Sequence, residues 1–259
     1  MAKRLSKAEQ LRIHEIETAK EHINTAGARL RDSILGGQDG LVNVLGIVLG
    51  VAAAVTDIRI VLLSGLAATV AESLSMGAVV YTSLKAENEV YEKERKREEY
   101  EIERYPEAEK REIKEVFRKH GFKGKELNHI VEKITSNKAT WLNIMMSEEL
   151  GLKNKAEEPL RSGIRVFVAA LVGSLVPILP FLFLPLEPAV QVHLWNLAIR
   201  LPPASIGALL LSGVALFITG VYKSKFTLVS WKRSGLELTI IGLVAAVGGY
   251  LVGIAFTVV

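Results

Sequence analysis

The sequence predicts an all-α membrane protein of five spanning helices, with a charged helical domain inserted between spans 2 and 3. The 259 residues combine a mean hydropathy of +0.28 with 23% charged residues, and the apolar and charged residues lie in separate segments. Charge is concentrated between Lys85 and Arg161, whereas long flanking segments carry almost none. Five segments reach the length of about 20 mostly apolar residues that a helix needs to cross a bilayer. They are residues 34–56, 59–84, 163–185, 203–222 and 234–258.

The region before the first span, residues 1–32, is predicted to be an amphipathic cytoplasmic helix. Aliphatic side chains recur there among charged ones, a pattern typical of a helix lying on a membrane or against a folded domain. Residues 33–85 then form a hairpin of spans 1 and 2, joined by a short turn. Spans 3 to 5 occupy residues 162–259, where Pro177 and Pro180 kink the third span or mark its outer end.

The charged block, residues 86–161, is predicted to be a cytoplasmic domain of helices. Span 2 is expected to continue into this block, because residues 85–105 include neither Gly nor Pro. Pro106 then starts a new helix. Three helices follow, at about 107–120, 125–135 and 137–151.

Lysine and arginine residues predict which side of the membrane each loop faces. Seven of them precede span 1 and four lie between spans 4 and 5, while the opposite loops offer little beyond Arg59 and Arg200. Positive loops stay in the cytoplasm, so the N-terminus and the charged block are expected there and the C-terminus on the other side. The same bias explains the net charge of +4, and we expect no nucleic-acid partner. The absence of cysteine excludes disulfides and thiolate metal sites.

Two acidic residues lie inside the first two spans, where a charge is costly. Asp39 in span 1 and Glu72 in span 2 would each cost about 2.5–3.5 kcal/mol at a helix centre, so they indicate a functional site. The alternative is an acid near the interface that bonds to a neighbouring helix. Met76 lies one turn after Glu72, on the same helix face. The three residues together predict an intramembrane metal site, and the thioether favours softer first-row ions or Cu⁺.

The charged block contains a second set of acids and thioethers at helical spacing. Its glutamates form two i,i+3 pairs on successive helices, and the last helix adds two methionines and a glutamate. Three helices can thereby direct carboxylates and thioethers to one metal site. In so Glu-rich a region, the alternative is a solvated face paired with Lys and Arg. The candidate ligands are Glu98, Glu101, Glu109, Glu112, Met145, Met146 and Glu149.

Two other functions stay open on the residues alone. Glu126-x-x-His129 is half of the ligand pattern of a ferritin-like di-iron site, which would indicate a membrane-anchored iron oxidase, storage or metal-sensing protein. Such a site needs a second Glu-x-x-His, and the sequence has none. The other interpretation is a structural or sensory protein with a solvated acidic stalk, which would leave Asp39 and Glu72 unexplained.

Glycine pairs predict where helices approach closely. Gly46 is followed by Gly50 at a spacing of four, and Gly249 by Gly253. This spacing places both glycines on one helix face, where the missing side chains let two backbones meet. We expect a close helix contact at these pairs, for which a dimer axis is one location.

Three stretches of the sequence resemble the vacuolar iron transporter family of plants and yeast and its prokaryotic relatives. They are DSILGGQDGLVNVLGIVLGV at the start of span 1, AESLSMGAVVYTS in span 2 and IMMSEELGL at the end of the charged block. The resemblance extends from about Arg31 to Val259 and includes the five spans and the position of the insertion. It departs at Val80, where many relatives carry an acid.

The resemblance implies an antiporter, not an enzyme, that moves Fe²⁺ out of the cytoplasm in exchange for protons. It also implies a homodimer with a path between subunits that is lined by Asp39, Glu72 and Met76, and a helical domain that first collects metal on the seven candidate ligands. No prosthetic group is expected, and the ligand set also admits Mn²⁺, Co²⁺, Ni²⁺ or Zn²⁺ as substrates. With no targeting extension in the sequence, we expect a multi-pass protein of a prokaryotic cell membrane, or of the vacuolar membrane in a eukaryote.

Overall fold

The structure, a computed structural model, describes residues 7–152, 158–194 and 197–256. These residues form two compact units. The first unit comprises the chain before Thr82 together with the chain from Pro159 onward, and the second is Thr82–Glu158. The sequence placed the inserted domain at residues 86–161, and its functional assignment stays a prediction.

The first unit is built from long helices and one small hairpin of strands. Four of its helices contain segments long and apolar enough to span a membrane, and the first such segment is Leu30–Ala54. Nearly all of the described first unit is helical, in agreement with the predicted all-α class. Its elements are α1 (Lys7–Ala54), α2 (Ile58–Arg104, which continues into the second unit), α6 (Pro159–Leu175), α7 (Leu179–Phe183), β1 (Val190–Leu194), β2 (Leu197–Leu201), α8 (Pro203–Ser224) and α9 (Trp231–Ala255).

The third predicted span differs from the other four. Helix α6 has 17 residues and ends at Leu175, where a turn precedes the five-residue helix α7. Pro177 lies in this turn, and proline ends a helix because it lacks an N–H and its ring clashes with the preceding turn. The five-span count is therefore not established, since four membrane-capable helices are present in the described residues.

Two further elements differ from the sequence expectation. The amphipathic helix expected over residues 1–32 is continuous with span 1, because α1 runs without interruption from Lys7 to Ala54. The strands β1 and β2, which pair in antiparallel register from Val190–Leu201 to Leu194–Leu197, were not predicted. The first strand, VQVHL, alternates β-branched and polar residues, which is typical of a strand, although it lies beside spans that dominate the hydropathy.

Glycines let α1 pack closely on α9. A Cβ atom on Gly249 would stand 2.2 Å from the Gly46 carbonyl oxygen, and one on Gly253 would stand 2.0 Å from that of Gly50. Any side chain at these positions would force the helices apart. The two glycine pairs therefore form a contact within one chain rather than across a dimer axis.

A buried ion pair joins α1 to α6. Asp32 is fully buried, and Arg165 donates to its Oδ2 from Nε at 3.1 Å and from Nη2 at 2.9 Å. Arg165 also donates to Ser162 Oγ at 2.6 Å, and Arg31 donates to Asp32 Oδ1 at 3.0 Å. Paired hydrogen bonds between ionised groups are among the strongest in proteins. They fix the start of the apolar part of α1 against α6.

The second unit packs the end of α2 against shorter helices. The new elements are α3 (Pro106–Lys119), α4 (Gly124–Thr135), α5 (Lys138–Ile144) and a π-helical turn (Met145–Glu149). Pro106 occupies the first turn of α3, where backbone N–H groups have no partner within the helix, so the absence of an N–H from proline costs nothing. Gly121 and Gly124 adopt positive φ values of 96° and 57° in the turn between α3 and α4. The core of the unit includes Ile102, Ile113, Leu127, Trp141 and Met145.

Candidate metal centre

The first candidate site joins α1 to α2 inside the first unit. The carboxyl groups of Asp39 and Glu72 lie within hydrogen-bond reach of each other. Asn43, one turn after Asp39, donates from Nδ2 to Glu72 Oε1 at 3.0 Å. Met76 lies one turn after Glu72 on α2 and is half-buried. The structure thus brings the two predicted acids together and places the predicted methionine on the same face of α2 as Glu72.

This carboxyl pair is not sealed inside the unit. Asp39 and Glu72 are half-buried and Asn43 is exposed. Asp39 also lines a cavity of about 430 Å³ together with Gln38 and Lys223. A small ion therefore has room beside the Asp39 carboxyl, although Glu72 and Asn43 do not line this cavity. Carboxylate and amide oxygens such as theirs are of the kind that hold a cation.

The second candidate site is a set of five carboxyl groups in the second unit, here called the acid cluster. Its members come from three elements, α2, α3 and the π-helical turn. They are close enough to act on one another electrostatically. The acid cluster consists of Glu98, Glu101, Glu109, Glu112 and Glu149.

Two members of the acid cluster are buried with an unused oxygen. Glu98 is 2% exposed and Glu109 is 4% exposed. The Oε2 atom of each is shielded from solvent and has no hydrogen-bond partner. A buried carboxylate oxygen without a partner is costly, and coordination of a cation is one way to compensate it. These two atoms are the strongest local indication that the acid cluster binds a ligand.

Burial and mutual repulsion raise the pKa values of several carboxyl groups in the acid cluster. Desolvation, with the charges of Glu112, Glu98 and Glu101, raises the pKa of Glu109 from 4.5 to about 7. Partial desolvation and the adjacent Glu112 carboxyl raise the pKa of Glu149 to about 7. The pKa of Glu98 is also raised, by burial and by Glu101, although the Arg97 guanidinium opposes the shift. Near neutral pH the acid cluster therefore exchanges protons.

The methionines lie next to Glu149 in the chain but belong to the hydrophobic core. Met145 is 0% exposed and Met146 is 2% exposed, packed with apolar side chains of the second unit. They begin the π-helical turn that ends at Glu149. Such turns insert one residue into a helix, rotate the side chains that follow, and are frequent at functional sites. The turn explains how one short segment supplies two thioethers to the hydrophobic core and one carboxyl group, that of Glu149, to the acid cluster.

The acid cluster is not a finished coordination shell. Nowhere in the described residues do three or more Asp, Glu or His side chains already converge closely enough to hold a metal ion. The side chains of the acid cluster must therefore rotate to close on a cation. Glu101 and the exposed Glu112 and Glu149 have the solvent access that such a movement requires.

Comparison with known proteins assigns the chain to one family. The family model described as the VIT family matches residues 30–254, which include both candidate sites. The chain belongs to the VIT family. It is 32% identical to vacuolar iron transporter 1 of Eucalyptus grandis over 91% of this chain and 89% of that protein. It is equally identical to vacuolar iron transporter 1 of Arabidopsis thaliana, over 87% and 85% of the two chains, and to the vacuolar iron transporter of Toxoplasma gondii, over 90% and 76%.

Membership of the VIT family confirms the resemblance that the sequence motifs indicated. Together with the four apolar helices it identifies the chain as a membrane protein. The roles assigned to individual site residues stay predictions.

Two polar residues of the candidate sites were missed from the sequence. Asn43 follows Asp39 at i+4, a spacing that should have marked it as part of the same face. Arg97 contacts Glu98 at 3.5 Å and Glu101 at 3.6 Å. No pattern singles out Arg97, because it is one of many basic residues in the charged block.

Proposed function

We propose that the protein is a secondary transporter that moves Fe²⁺ out of the cytoplasm in exchange for protons. Family membership and the names of the relatives support iron as the substrate. The observation that carries the proposal is the carboxyl pair of Asp39 and Glu72, which joins two membrane-capable helices. Ionisable groups within spans typically mark ion pathways and proton relays.

The carboxyl pair provides a physical reason for coupling metal to protons. Two adjacent carboxylates repel each other where the dielectric constant is low, so each empty state is unfavourable and the pair holds either a cation or protons. Fe²⁺ that enters from the cytoplasm displaces protons, and protons replace Fe²⁺ when it leaves on the other side. Asn43 orients Glu72 through the 3.0 Å hydrogen bond to Oε1. The Met76 thioether favours Fe²⁺ over harder cations such as Mg²⁺ or Ca²⁺.

The acid cluster captures the metal before transport in this proposal. Its carboxylates attract divalent cations. The Oε2 atoms of Glu98 and Glu109, which have no hydrogen-bond partner, would become ligands of the bound cation. Metal ligands must be deprotonated, so capture releases protons from groups whose pKa is near 7. Met145 and Met146 contribute thioethers once the π-helical turn adjusts. The same ligands admit Mn²⁺, Co²⁺, Ni²⁺ or Zn²⁺ as further substrates.

We assign the acid cluster to the cytoplasmic side. Lys and Arg are abundant before span 1 and between α8 and α9, and such loops stay in the cytoplasm. An iron oxidase or storage function has no comparable support, because Glu126 and His129 are both exposed on α4.

The transport step is tested with purified protein in liposomes that hold a pH-sensitive dye, under anaerobic and reducing conditions. Fe²⁺ uptake is expected to make the interior more alkaline, and an acidic interior is expected to accelerate it. Asp39→Asn should reduce uptake to the level of protein-free liposomes. Asp57→Asn is the matched control, because Asp57 is exposed in the turn between α1 and α2. Uptake without a pH change would contradict antiport, and normal uptake by Asp39→Asn would remove the carboxyl pair from the path.

A homodimer with the path between subunits is the second part of the proposal. The exposed face of α1 carries the Asn43 amide beside the Glu72 carboxyl, and lipid satisfies neither group. A second copy that covers this face would enclose both groups in a polar path. The arrangement is testable because the chain has no cysteine of its own.

Ile47 lies one turn after Asn43 and is 41% exposed, whereas Val214 on α8 is 57% exposed. Oxidation of membranes is expected to cross-link Ile47→Cys into a covalent dimer and to leave Val214→Cys monomeric. Equal cross-linking of the two variants would contradict the dimer through α1.

A further inference from the structure

Arg97 places a positive charge on the acid cluster. Its guanidinium lies 3.5 Å from Glu98 Oε1 and 3.6 Å from Glu101 Oε2. It lies closer still, at 2.6 Å, to Glu94 Oε2, which is outside the acid cluster. One arginine therefore contacts two candidate metal ligands and one carboxylate that is not a candidate ligand.

The position of Glu98 separates Arg97 from an ordinary surface arginine. Exposed i,i+3 and i,i+4 ion pairs contribute little because water screens both partners. Glu98 is 2% exposed, and its second oxygen has no hydrogen-bond partner. The guanidinium is thus the cation that balances a buried carboxylate. A metal ion that binds Glu98 and Glu101 must share or replace this contact, because two cations at the same oxygens repel each other.

We propose that Arg97 is the resident counter-ion of the acid cluster, that it is displaced when a divalent cation binds Glu98 and Glu101, and that it thereby sets the metal affinity of the cluster. Glu94 retains the guanidinium after displacement, since the 2.6 Å contact does not involve a candidate ligand. A monovalent cation brings no more charge than the arginine it would replace, so the exchange favours divalent ions. This inference rests on the proposed function of the acid cluster as the capture site.

The chain offers a matched control for each partner. Arg95 is exposed to the same extent as Arg97, 49%, but pairs with Glu92 at 3.8 Å. Arg97→Gln and Arg95→Gln therefore remove the same charge from the same helix, and only the first removes it from the acid cluster. Glu94→Gln and Glu92→Gln form the corresponding pair of acid variants.

Binding of Co²⁺ to the purified full-length protein at pH 8 is measured by titration calorimetry. Arg97→Gln is expected to lower the Kd for Co²⁺ about threefold to tenfold relative to Arg95→Gln. Glu94→Gln is expected to raise the Kd relative to Glu92→Gln, because Arg97 then has only Glu98 and Glu101 to pair with. The opposite signs at neighbouring positions distinguish a displaced counter-ion from a general effect of net charge.

The outcomes separate this inference from the proposed function. If Arg97→Gln and Arg95→Gln bind Co²⁺ equally, the counter-ion role is wrong while metal capture stands. If Arg97→Gln binds more weakly, Arg97 orients the ligands instead of competing for them. Wild-type protein that binds no Co²⁺ overturns both the capture site and the counter-ion. Should Arg97→Gln not fold, the comparison of Glu94→Gln with Glu92→Gln decides the question, and equal Kd values there overturn the inference.

Discussion

The carboxyl pair in the spans and the acid cluster in the second unit use the same side chains in different surroundings. The carboxyl groups of Asp39 and Glu72 lie within hydrogen-bond reach of each other, and Glu72 also accepts a hydrogen bond from the uncharged amide of Asn43. Glu98 and Glu101 are instead paired with a guanidinium, and the exposed members of the acid cluster reach water. Among the described residues, no guanidinium or ammonium group forms an ion pair with Asp39 or Glu72, although Lys223 lines the cavity beside Asp39, whereas the second site has a counter-ion in Arg97.

This difference suits the two tasks of the proposed function, exchange of metal for protons in the spans and capture of metal in the second unit. A site that must exchange one ion for another has to be unfavourable when empty, because an empty intermediate would let metal and protons move independently. A site that captures metal has to remain folded while empty, and a counter-ion makes this state stable. In the proposed function, the same carboxylate chemistry therefore serves exchange in one unit and capture in the other.

The comparison also applies to ion pairs within each unit, and here we expect the largest effect. Asp32→Ala leaves Arg165 without the carboxylate oxygen that accepts its two hydrogen bonds and fixes α1 to α6. Because the Arg165 side chain is 32% exposed and keeps its contact with Ser162, loss of the buried Asp32 carboxylate should lower the free energy of unfolding by about 1.5–3 kcal/mol. Lys138→Ala removes contacts to Glu99 and Glu103 in the second unit, all between exposed side chains that water screens, and should lower the free energy of unfolding far less.

Thermal unfolding in one detergent, followed by tryptophan fluorescence, measures both variants. A clear fall of the midpoint for Asp32→Ala beside a small one for Lys138→Ala would confirm that the first unit depends on a buried charge pair. Equal shifts would show that the α1–α6 contact is maintained by its close-packed small residues, such as Gly36 and Gly173, without help from the ion pair.

Helix type and most helix ends were predictable from local signals. Pro106 and the glycines at 121 and 124 mark helix ends chemically, so the predicted helices of the second unit differ from the observed ends by at most two residues. The third span was predicted as one apolar segment that Pro177 and Pro180 kink or end, because hydropathy measures length and not continuity. In the structure the helix ends before Pro177, and the short helix α7 follows the turn.

The residue types of the candidate sites were predictable, and the expected hairpin of spans 1 and 2 placed Asp39 near Glu72, but most contacts between helices were not predictable. Spacing along one helix placed Glu72 with Met76 and Glu98 with Glu101. It contained no information on which acid of α1 meets which acid of α2, and none on the guanidinium of Arg97. Contacts between helices depend on packing, which a charge pattern in a Glu-rich segment does not encode.

A smaller effect follows from the raised pKa values of the acid cluster. Glu109 and Glu149 titrate near pH 7, so metal binding must displace protons below that pH. The Kd for Co²⁺ is expected to fall by at least about tenfold from pH 6 to pH 8, the change that the loss of one competing proton brings over this range. Glu109→Gln should flatten this dependence by about one proton, whereas Glu115→Gln should not, because the exposed Glu115 pairs with Arg118 outside the acid cluster.

The same shift fixes the sign of the stability change in metal-free protein. The folded pKa of Glu109 is raised from 4.5 to about 7, so the folded state binds more protons than the unfolded state between these values. The contribution of Glu109 to the free energy of unfolding therefore decreases as the pH rises through this range. Thermal unfolding of metal-free protein should show a midpoint that falls from pH 5 to pH 7.5, and a smaller fall in Glu109→Gln. Co²⁺ should restore the midpoint at pH 7.5, because the cation replaces the protons that the acid cluster has lost. A midpoint in Glu109→Gln that follows the pH as steeply as in the wild type would show that Glu109 is not the group whose ionisation the cation compensates.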